Sequence, residues 1–393
     1  MPSSSTASPV TLKPDEARRF LVGQLGLTRP QPRAGAPGVR ALLKALRCIQ
    51  LDPLDVIGTN ADLVALARVD GLERGDVYRH LLPGHAFEHF AKERCLLPAS
   101  AFPYYREQAA ARVPWKSLEE RLRRVPEPVL RAVLEEVTAR GPSSPRDLTD
   151  HGAVVPIDWS GWKGTARATA MALEVLWARC EVVVCGRVQG GKLYDVPHRA
   201  LPRMAGAATK HAFERWALLE RVEAAGLLSR ASGPHWSTLS RVRTSALPDE
   251  LVREGALEEV AVSGSPRRYL APRGFLRREF PEPDARMRIL GPLDPVLWDR
   301  ELVRVAFGFD YVWEVYKPPA QRKWGWYVCP LLHRGRLVGR LEARVRDGEL
   351  RVDNLWREPG VKLDDTALDE ALARHAVACG ARLARRPRAR VAS

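Results

Sequence analysis

Apolar side chains recur at helical spacing over the first two thirds of the chain. Leu42, Leu43 and Leu46, for example, are one, three and four residues apart, which places them on one face of a helix. Proline and glycine separate the apolar segments and mark the ends of elements. The pattern predicts helices over residues 15–23, 38–47, 128–140, 163–179 and 207–226, and a largely helical region over residues 60–125.

Two strand-like stretches follow predicted helices. Residues 181–195 read as two short strands around a Gly190-Gly191 turn, and residues 256–271 read as a second pair around Gly264-Ser-Pro266. Helices followed by a hairpin are the element order of a winged helix. We therefore predict tandem winged helices.

The last third of the chain has a different pattern. Strand-like runs over residues 312–316, 326–332, 337–345 and 350–355 precede a helix over residues 364–379. This order predicts a small antiparallel sheet closed by a helix. The predicted fold class is thus α+β, mainly helical, with tandem winged-helix motifs and a C-terminal antiparallel-sheet domain.

These patterns divide the chain into six predicted regions. They are a disordered lead (1–13), an N-terminal winged-helix and helical region (14–125), a second winged helix (126–205), a third winged helix (206–280), a C-terminal α+β domain with a β-hairpin (281–380) and a basic tail that we expect to be mobile (381–393).

The charge balance favours a polyanionic partner. The 393 residues include 62 Lys and Arg against 47 Asp and Glu, a formal net charge of +15. Nucleic acid would suit this excess, although a general bias toward arginine would also produce it. No apolar stretch approaches the roughly 20 residues that span a membrane, so no membrane partner is expected. The six cysteines form no C-x-x-C pair, which predicts free thiols in a reducing cytoplasm.

A possible zinc motif occurs at His85-Ala-Phe-Glu88-His89. It matches the H-x-x-E-H pattern, in which two histidines one helical turn apart bind zinc beside a glutamate base. The match is short, and no second helix with a paired acidic ligand accompanies it. We therefore favour a structural role, with Phe87 and Phe90 facing a core, and we predict no metal site and no cofactor.

Gln50 and Asp52 are the candidate catalytic residues. In an extended segment, residues two apart share a face, and Leu51 points to the other side. A carboxylate beside a carboxamide can hold and polarise one water molecule. The alternative is a strand end at which Asp52 caps a local amide, and Gln-x-Asp is too common for the pattern alone to decide.

Two segments carry cations and aromatic residues that could contact DNA. Residues 311–327 place several between two strand-like runs, where phosphate pairing and stacking could occur, although a solvated hairpin would look the same. The predicted helix over residues 163–179 could act as a recognition helix. The candidate DNA-binding residues are Lys163, Arg167, Lys317, Arg322, Lys323 and Trp324.

Several longer motifs resemble the YcaQ/AlkZ family of winged-helix DNA glycosylases. Those in the N-terminal part are Gln50-Leu-Asp-Pro-Leu-Asp55, Asn60 and Ala67-Arg-Val69. Those in the C-terminal part are Ile289-Leu-Gly-Pro-Leu-Asp-Pro-Val-Leu-Trp-Asp-Arg300, Phe307-Gly-Phe-Asp-Tyr-Val-Trp-Glu-Val-Tyr-Lys-Pro318 and Gly325-Trp-Tyr-Val-Cys-Pro330. The resemblance covers most of residues 15–375.

The resemblance implies hydrolysis of the N-glycosidic bond of N7-alkylated purines in duplex DNA, including unhooking of interstrand crosslinks. The family's catalytic motif is Gln-x-Gln in one branch and Gln-x-Asp in the other, so Gln50 and Asp52 indicate the YcaQ-like branch. The family also uses a β-hairpin in the DNA cleft, which we place at residues 317–324. No lysine is indicated as a Schiff-base nucleophile, so we predict a monofunctional enzyme with water as the nucleophile.

The predicted partner is duplex DNA bearing alkylated or crosslinked purines. We expect a monomer in the cytoplasm, associated with the nucleoid. The main alternative is a non-enzymatic winged-helix transcriptional regulator, in which Gln50 and Asp52 would be structural.

Overall fold

The computed structural model of this chain describes residues 10–111, 120–121, 123–155, 165–188, 191–204 and 206–392. Within them the α-helices are, in chain order, α1 (Pro14–Gln24), α2 (Gly35–Leu46), α3 (Asn60–Leu66), α4 (Asp76–Leu81), α5 (Phe102–Ala111), α6 (Glu127–Arg140), α7 (Ala168–Ala178), α8 (Pro197–Ala200), α9 (Phe213–Ala225), α10 (Ser240–Arg243), α11 (Leu247–Arg253), α12 (Arg300–Phe307) and α13 (Asp365–Ala378). The strands are β1 (Val10–Leu12), β2 (Ile49–Gln50), β3 (Ala86–Ala91), β4 (Glu93–Pro98), β5 (Ala153–Val154), β6 (Ala166–Arg167), β7 (Val183–Val188), β8 (Gly191–Asp195), β9 (Leu228–Ser229), β10 (Leu257–Val262), β11 (Arg268–Pro272), β12 (Arg288–Ile289), β13 (Val328–His333), β14 (Arg336–Arg346), β15 (Glu349–Arg357), β16 (Arg382–Leu383) and β17 (Arg390–Val391).

The chain divides into two compact units. The first is drawn from Met1–Val77, Phe90–Cys95 and Glu214–Ser393, and the second from Tyr78–His89 and Leu96–Phe213. Within the described residues, no helix combines the length and the apolar content needed to cross a membrane.

Two sheets with separate cores lie wholly within the described residues of the first unit. The larger sheet runs β12-β13-β14-β15 with antiparallel pairing, and β16 and β17 both pair with β15 in parallel. Leu368 and Leu372 of α13 share a core with Leu341 and Leu355 of this sheet. The smaller sheet has the order β1-β10-β11-β9, and Phe20 of α1 packs in its core. The predicted C-terminal sheet closed by a helix and the predicted strand pair over residues 256–271 are confirmed.

In the second unit, α7 is buried on nearly every side. Nine of its eleven residues are buried, and only Ala170 and Glu174 are not. Such a helix lacks the broad polar face that a recognition helix lays in a DNA groove. The strands β7 and β8 form the predicted hairpin over residues 181–195, while Gly190 of its turn lies outside the described residues.

Three predicted helical segments are partly wrong. Within residues 60–125, β3 and β4 form a hairpin. Five of the six β3 residues are buried, a pattern that lacks the one-sided spacing of an amphipathic helix. The helix predicted from residue 163 begins at Ala168, since Arg167 pairs with Ala153 in a short ladder. The helix predicted from residue 207 begins at Phe213. Preceding residues are held instead by side chains of α5, as in the 2.6 Å bond from Thr209 Oγ1 to Glu107.

The C-terminal tail is part of the larger sheet, so its predicted mobility is wrong. The tail contributes the strands β16 and β17. Between them, Arg386 donates to Asp369 (2.5 Å) and to Asp365 (2.7 Å) of α13. The predicted strand over residues 312–316 is absent as well. The Glu314 carboxylate in this segment accepts hydrogen bonds from backbone N–H groups of its own loop. These bonds take the place of the interstrand hydrogen bonds that a strand would need.

An ion pair inside the first unit joins the N-terminal and C-terminal family motifs. Arg68 donates Nη1 and Nη2 to the two carboxylate oxygens of Asp294, at 2.7 and 2.9 Å, and both side chains are fully buried. Arg68 also donates to the backbone oxygens of Leu25 (2.7 Å) and Val64 (3.0 Å). This arginine therefore connects α1, α3 and the loop before α12.

We predict that Arg68→Met lowers the free energy of unfolding by about 3–5 kcal/mol, because it leaves the Asp294 carboxylate buried without its partner. The measurement is urea unfolding followed by tryptophan fluorescence. Arg382→Met is the matched control, since Arg382 pairs with Glu349 at the surface, and it should cost less than about 1 kcal/mol. Equal small costs for the two variants would contradict the prediction.

Candidate active site

Gln50 lies at the end of β2 in the first unit, and its backbone is fixed by a bridging asparagine. The Leu51 amide donates to Arg94 O (2.8 Å), which pairs the segment with β4. Asn60 Nδ2 donates to Gln50 O (2.8 Å), and Asn60 Oδ1 accepts from the Leu293 amide (3.1 Å). Asn60 is fully buried, so it joins the strand end to the C-terminal motif without solvent access.

A glycine makes room for this bridge. A Cβ atom placed on Gly291 would lie 2.5 Å from Asn60 Oδ1, far inside contact distance. The Gly291 backbone can therefore approach the asparagine only because it lacks a side chain. This explains a glycine at the third position of the Ile289–Asp294 segment.

The side chain of Gln50 is buried and contacts Lys92. Lys92 Nζ donates to Gln50 Oε1 at 2.7 Å, and 5% of Lys92 is exposed. Burial lowers the pKa of Lys92. Sequence reasoning missed this residue, because it predicts a helix here and a lysine in a hairpin turn is ordinarily solvated.

Asp52 is half-buried just beyond the strand. Its Oδ1 accepts from the Leu54 amide at 2.9 Å, which is the local cap that the structural alternative predicts. No donor among the described residues bonds to Oδ2, so the cap leaves one carboxylate oxygen available. Burial raises the pKa of Asp52, and the cap only partly opposes it. The Asp52 charge in turn helps to raise the pKa of buried Tyr327.

The loop over residues 313–326 is organised around one buried carboxylate. Glu314 accepts from Lys317 Nζ (2.8 Å) and from the backbone amides of Lys323 (3.1 Å), Trp324 (2.7 Å) and Gly325 (3.4 Å). Burial alone would raise the pKa of Glu314, but these donors outweigh it and lower the pKa to about 2. The β-hairpin predicted at residues 317–324 is therefore wrong, and a clasped loop with one 3-10 turn (Pro319–Gln321) takes its place.

The loop over residues 313–326, held around Glu314 and here named the clasp, contains four of the candidate DNA-binding residues. Arg322 Nε donates to Lys317 O (2.8 Å), and Lys323 Nζ lies 4.7 Å from the Trp324 ring centroid. The guanidinium of Arg340 is 4.4 Å from the same centroid. Cation–π contacts with both groups help to fix the position of the Trp324 ring.

Of the two remaining candidate DNA-binding residues, only Arg167 lies within the described part of the second unit. Lys163 is outside the described residues. Arg167 donates Nη1 to Pro145 O (3.0 Å), and its Nε is 3.5 Å from an Asp150 carboxylate oxygen. Arg167 is thus engaged within its own unit.

The residues of the possible zinc motif do not lie on a helix. His89 and Glu88 are on β3, and the buried Glu88 is ion-paired with Arg187. His89 stacks on Trp177 with ring centroids 4.9 Å apart, and Phe87 is buried as predicted. The one-turn helical spacing that H-x-x-E-H requires is missing.

Comparison with known proteins identifies the family. A family model described as DNA glycosylase AlkZ-like matches residues 43–378. The chain belongs to the AlkZ-like DNA glycosylase family. The resemblance inferred from the motifs is confirmed, and family membership indicates a DNA substrate and a role in DNA repair.

A solved structure supports the same fold for this family member. The chain is similar to the DNA glycosylase AlkZ of Streptomyces sahachiroi, with a TM-score of 0.56 and 18% sequence identity over 95% of this chain and 98% of that chain. The mixed fold of helices and sheets predicted from the sequence agrees with this likeness.

The clasp should make part of this family member's stability depend on pH. Glu314→Gln should reduce the free energy of unfolding by about 2–3 kcal/mol at pH 7, because the lowered pKa stabilises the folded state. The difference between wild type and variant is fully present above the ordinary value of 4.5 and disappears as the pH falls toward about 2. Urea unfolding at pH 7, 5 and 3.5 measures it. Glu370→Gln, at an exposed residue, should show little change, and a Glu314→Gln difference that is constant with pH would refute the assignment.

Proposed function

We propose that this protein hydrolyses the N-glycosidic bond of N7-alkylated purines in duplex DNA, including purines in interstrand crosslinks, with water as the nucleophile. The observation that carries the proposal is the geometry of the Gln50–Asp52 segment. Gln50 is fixed through backbone and side chain, and Asp52 is half-buried with one carboxylate oxygen that no donor in the described segments bonds. Both residues match the Gln-x-Asp motif that the family resemblance implies.

The proposed chemistry matches the substrate. An N7-alkylpurine is cationic, so it leaves as a neutral base and needs little help from a general acid. The enzyme must then stabilise positive charge developing on the deoxyribose and place a water molecule at C1′. The Asp52 oxygen that is not engaged in the cap is suited to both tasks. A carboxylate attracts the cationic sugar, and it accepts a proton from water. Gln50 orients that water.

Crosslink unhooking follows from the same proposal. Full extrusion of a base joined to the opposite strand would be obstructed, so a site that works at the groove surface suits this substrate better than a deep pocket. The Gln-x-Asp motif corresponds to the YcaQ-like branch, which the resemblance associates with crosslinks. We propose that the protein acts as a monomer on nucleoid DNA in the cytoplasm.

The clasped loop is proposed as one DNA contact. Lys317, Arg322 and Lys323 would pair with phosphates, and Trp324 would support the loop. In the second unit, the order α6, α7 and the hairpin β7-β8 supports a winged helix, and Lys163 and Arg167 remain proposed DNA contacts. The predicted divisions of the chain into winged helices remain predictions.

Asp52→Asn should slow excision of N7-methylguanine at least 100-fold, because the amide cannot accept a proton or neutralise the sugar. The assay is a duplex with one N7-methylguanine, treated with alkali to cleave abasic sites and analysed on a gel. Asp55→Asn is the matched control, since Asp55 is an exposed carboxylate paired with Arg74, and it should retain wild-type rates. Near-wild-type excision by Asp52→Asn would exclude the proposed role.

The product should be an intact abasic site, because water rather than an amine attacks C1′. Sodium borohydride added during turnover should trap no covalent protein–DNA complex. A glycosylase with a known lysine nucleophile serves as the positive control on the same gel. A trapped band with this protein, or strand cleavage before alkali, would show lyase chemistry and contradict the monofunctional proposal.

A further inference from the structure

The turn between β3 and β4 holds Lys92 inside the first unit. Glu93 has a left-handed backbone with φ of 58°, which closes the turn in few residues. Thr238 Oγ1 donates to Ala91 O (2.7 Å), and Cys95 Sγ donates to Lys92 O (3.1 Å). These two bonds hold the turn backbone at Ala91 and at Lys92 itself.

The contact with Lys92 decides which end of the Gln50 carboxamide stays free. An ammonium group can only donate, so the atom 2.7 Å from Nζ has to be the amide oxygen and not the amide nitrogen. No acceptor among the described residues bonds to Nε2 of Gln50. Gln50 therefore offers two N–H donors to a molecule in the site.

Lys92 makes no direct ion pair with the described residues. Glu93 attracts its charge from beyond contact distance, and Lys92 Nζ lies 5.3 Å from the centroid of the Trp298 ring. A buried lysine that makes no direct ion pair is unfavourable for stability, so its position beside a candidate catalytic glutamine points to a role in function.

We propose that Lys92 is a positioning residue that fixes the Gln50 carboxamide as a hydrogen-bond donor, an inference that rests on the proposed glycosylase function. Gln50 Nε2 then donates to the oxygen of the attacking water, and Asp52 accepts a proton from the same molecule. Held in this way, the water keeps a lone pair for C1′ while its proton already points to the base. With the carboxamide turned round, Gln50 would compete with Asp52 for the proton.

Lys92→Met is the first test, because methionine keeps the length and apolar stem but cannot donate. Single-turnover excision of N7-methylguanine should slow about 100-fold, with DNA affinity within twofold of wild type. The variant should unfold at the same or a higher urea concentration, since a buried amine is replaced by an apolar group. Lys44→Met removes an exposed lysine of α2 and should leave the rate unchanged. Wild-type excision by Lys92→Met would overturn the proposal.

Two substitutions at Gln50 test the polarity of the hydrogen bonds. Gln50→Glu can still accept from Lys92 but cannot donate, so it should be as slow as Gln50→Ala. The double variant Gln50→Ala with Lys92→Met should be no slower than Gln50→Ala alone, because Lys92 acts only through the glutamine. Rapid excision by Gln50→Glu, or multiplied losses in the double variant, would overturn the assignment. So would a borohydride-trapped complex that Lys92→Met abolishes, since the amine would then attack the sugar.

A measurement that needs no activity separates this inference from the proposed function. The side-chain NH₂ resonances of Gln50 in a ¹⁵N-labelled protein are assigned by their absence in Gln50→Ala. They should shift in Lys92→Met and stay in place in Lys44→Met. Unmoved resonances in Lys92→Met would overturn the inference. If they shift but the wild-type protein releases no base, the proposed function fails while the Lys92–Gln50 contact stands.

Discussion

The buried pair of Arg68 and Asp294 is the interaction on which the site depends. Its two residues are 226 positions apart in the sequence. Their contact brings the end of α3 against the loop before α12. Two fully buried charges are stable only when their hydrogen bonds are complete, and Arg68 completes them with the Leu25 and Val64 carbonyls. The same loop then supplies the Leu293 amide to Asn60, and Asn60 holds the Gln50 backbone. An ion pair between residues far apart in the sequence thereby helps to position Gln50, the candidate catalytic residue.

The electrostatics of the first unit follow a common rule. A buried charged group here either receives several hydrogen bonds or keeps hydrogen-bonding capacity that the described residues do not use. Glu314 is surrounded, and its lowered pKa is the consequence. Within the part of the chain that the structure describes, Asp52 receives one backbone donor and Lys92 one acceptor. Burial raises the pKa of Asp52 and lowers that of Lys92, so it favours the neutral form of each. The net charge of +15 favours an encounter with DNA, whereas the proposed reaction depends on Asp52 directly and on Lys92 only through Gln50.

Regular apolar spacing was sufficient to predict α1, α2, α6 and α13 to within three residues at each end. It failed at β3, where both faces are buried, and at Glu314, whose side chain takes the backbone donors that a strand would share. The family motifs led to Gln50 and Asp52 because these two residues are close in sequence. Lys92 could not be predicted, since its contact with Gln50 arises from a tight turn fastened by Thr238 and from pairing of β2 with β4, both long-range features.

The central claim is that Asp52 stabilises a cationic sugar, and binding of a sugar mimic tests it most directly. One duplex carries a cationic 1-azaribose in place of the damaged nucleotide, and a second carries the neutral tetrahydrofuran analogue. Wild-type protein should bind the cationic duplex at least about tenfold more tightly, and Asp52→Asn should lose this preference without losing affinity for the neutral duplex. Equal affinity of the wild type for both duplexes, or a preference that survives in Asp52→Asn, would contradict the claim.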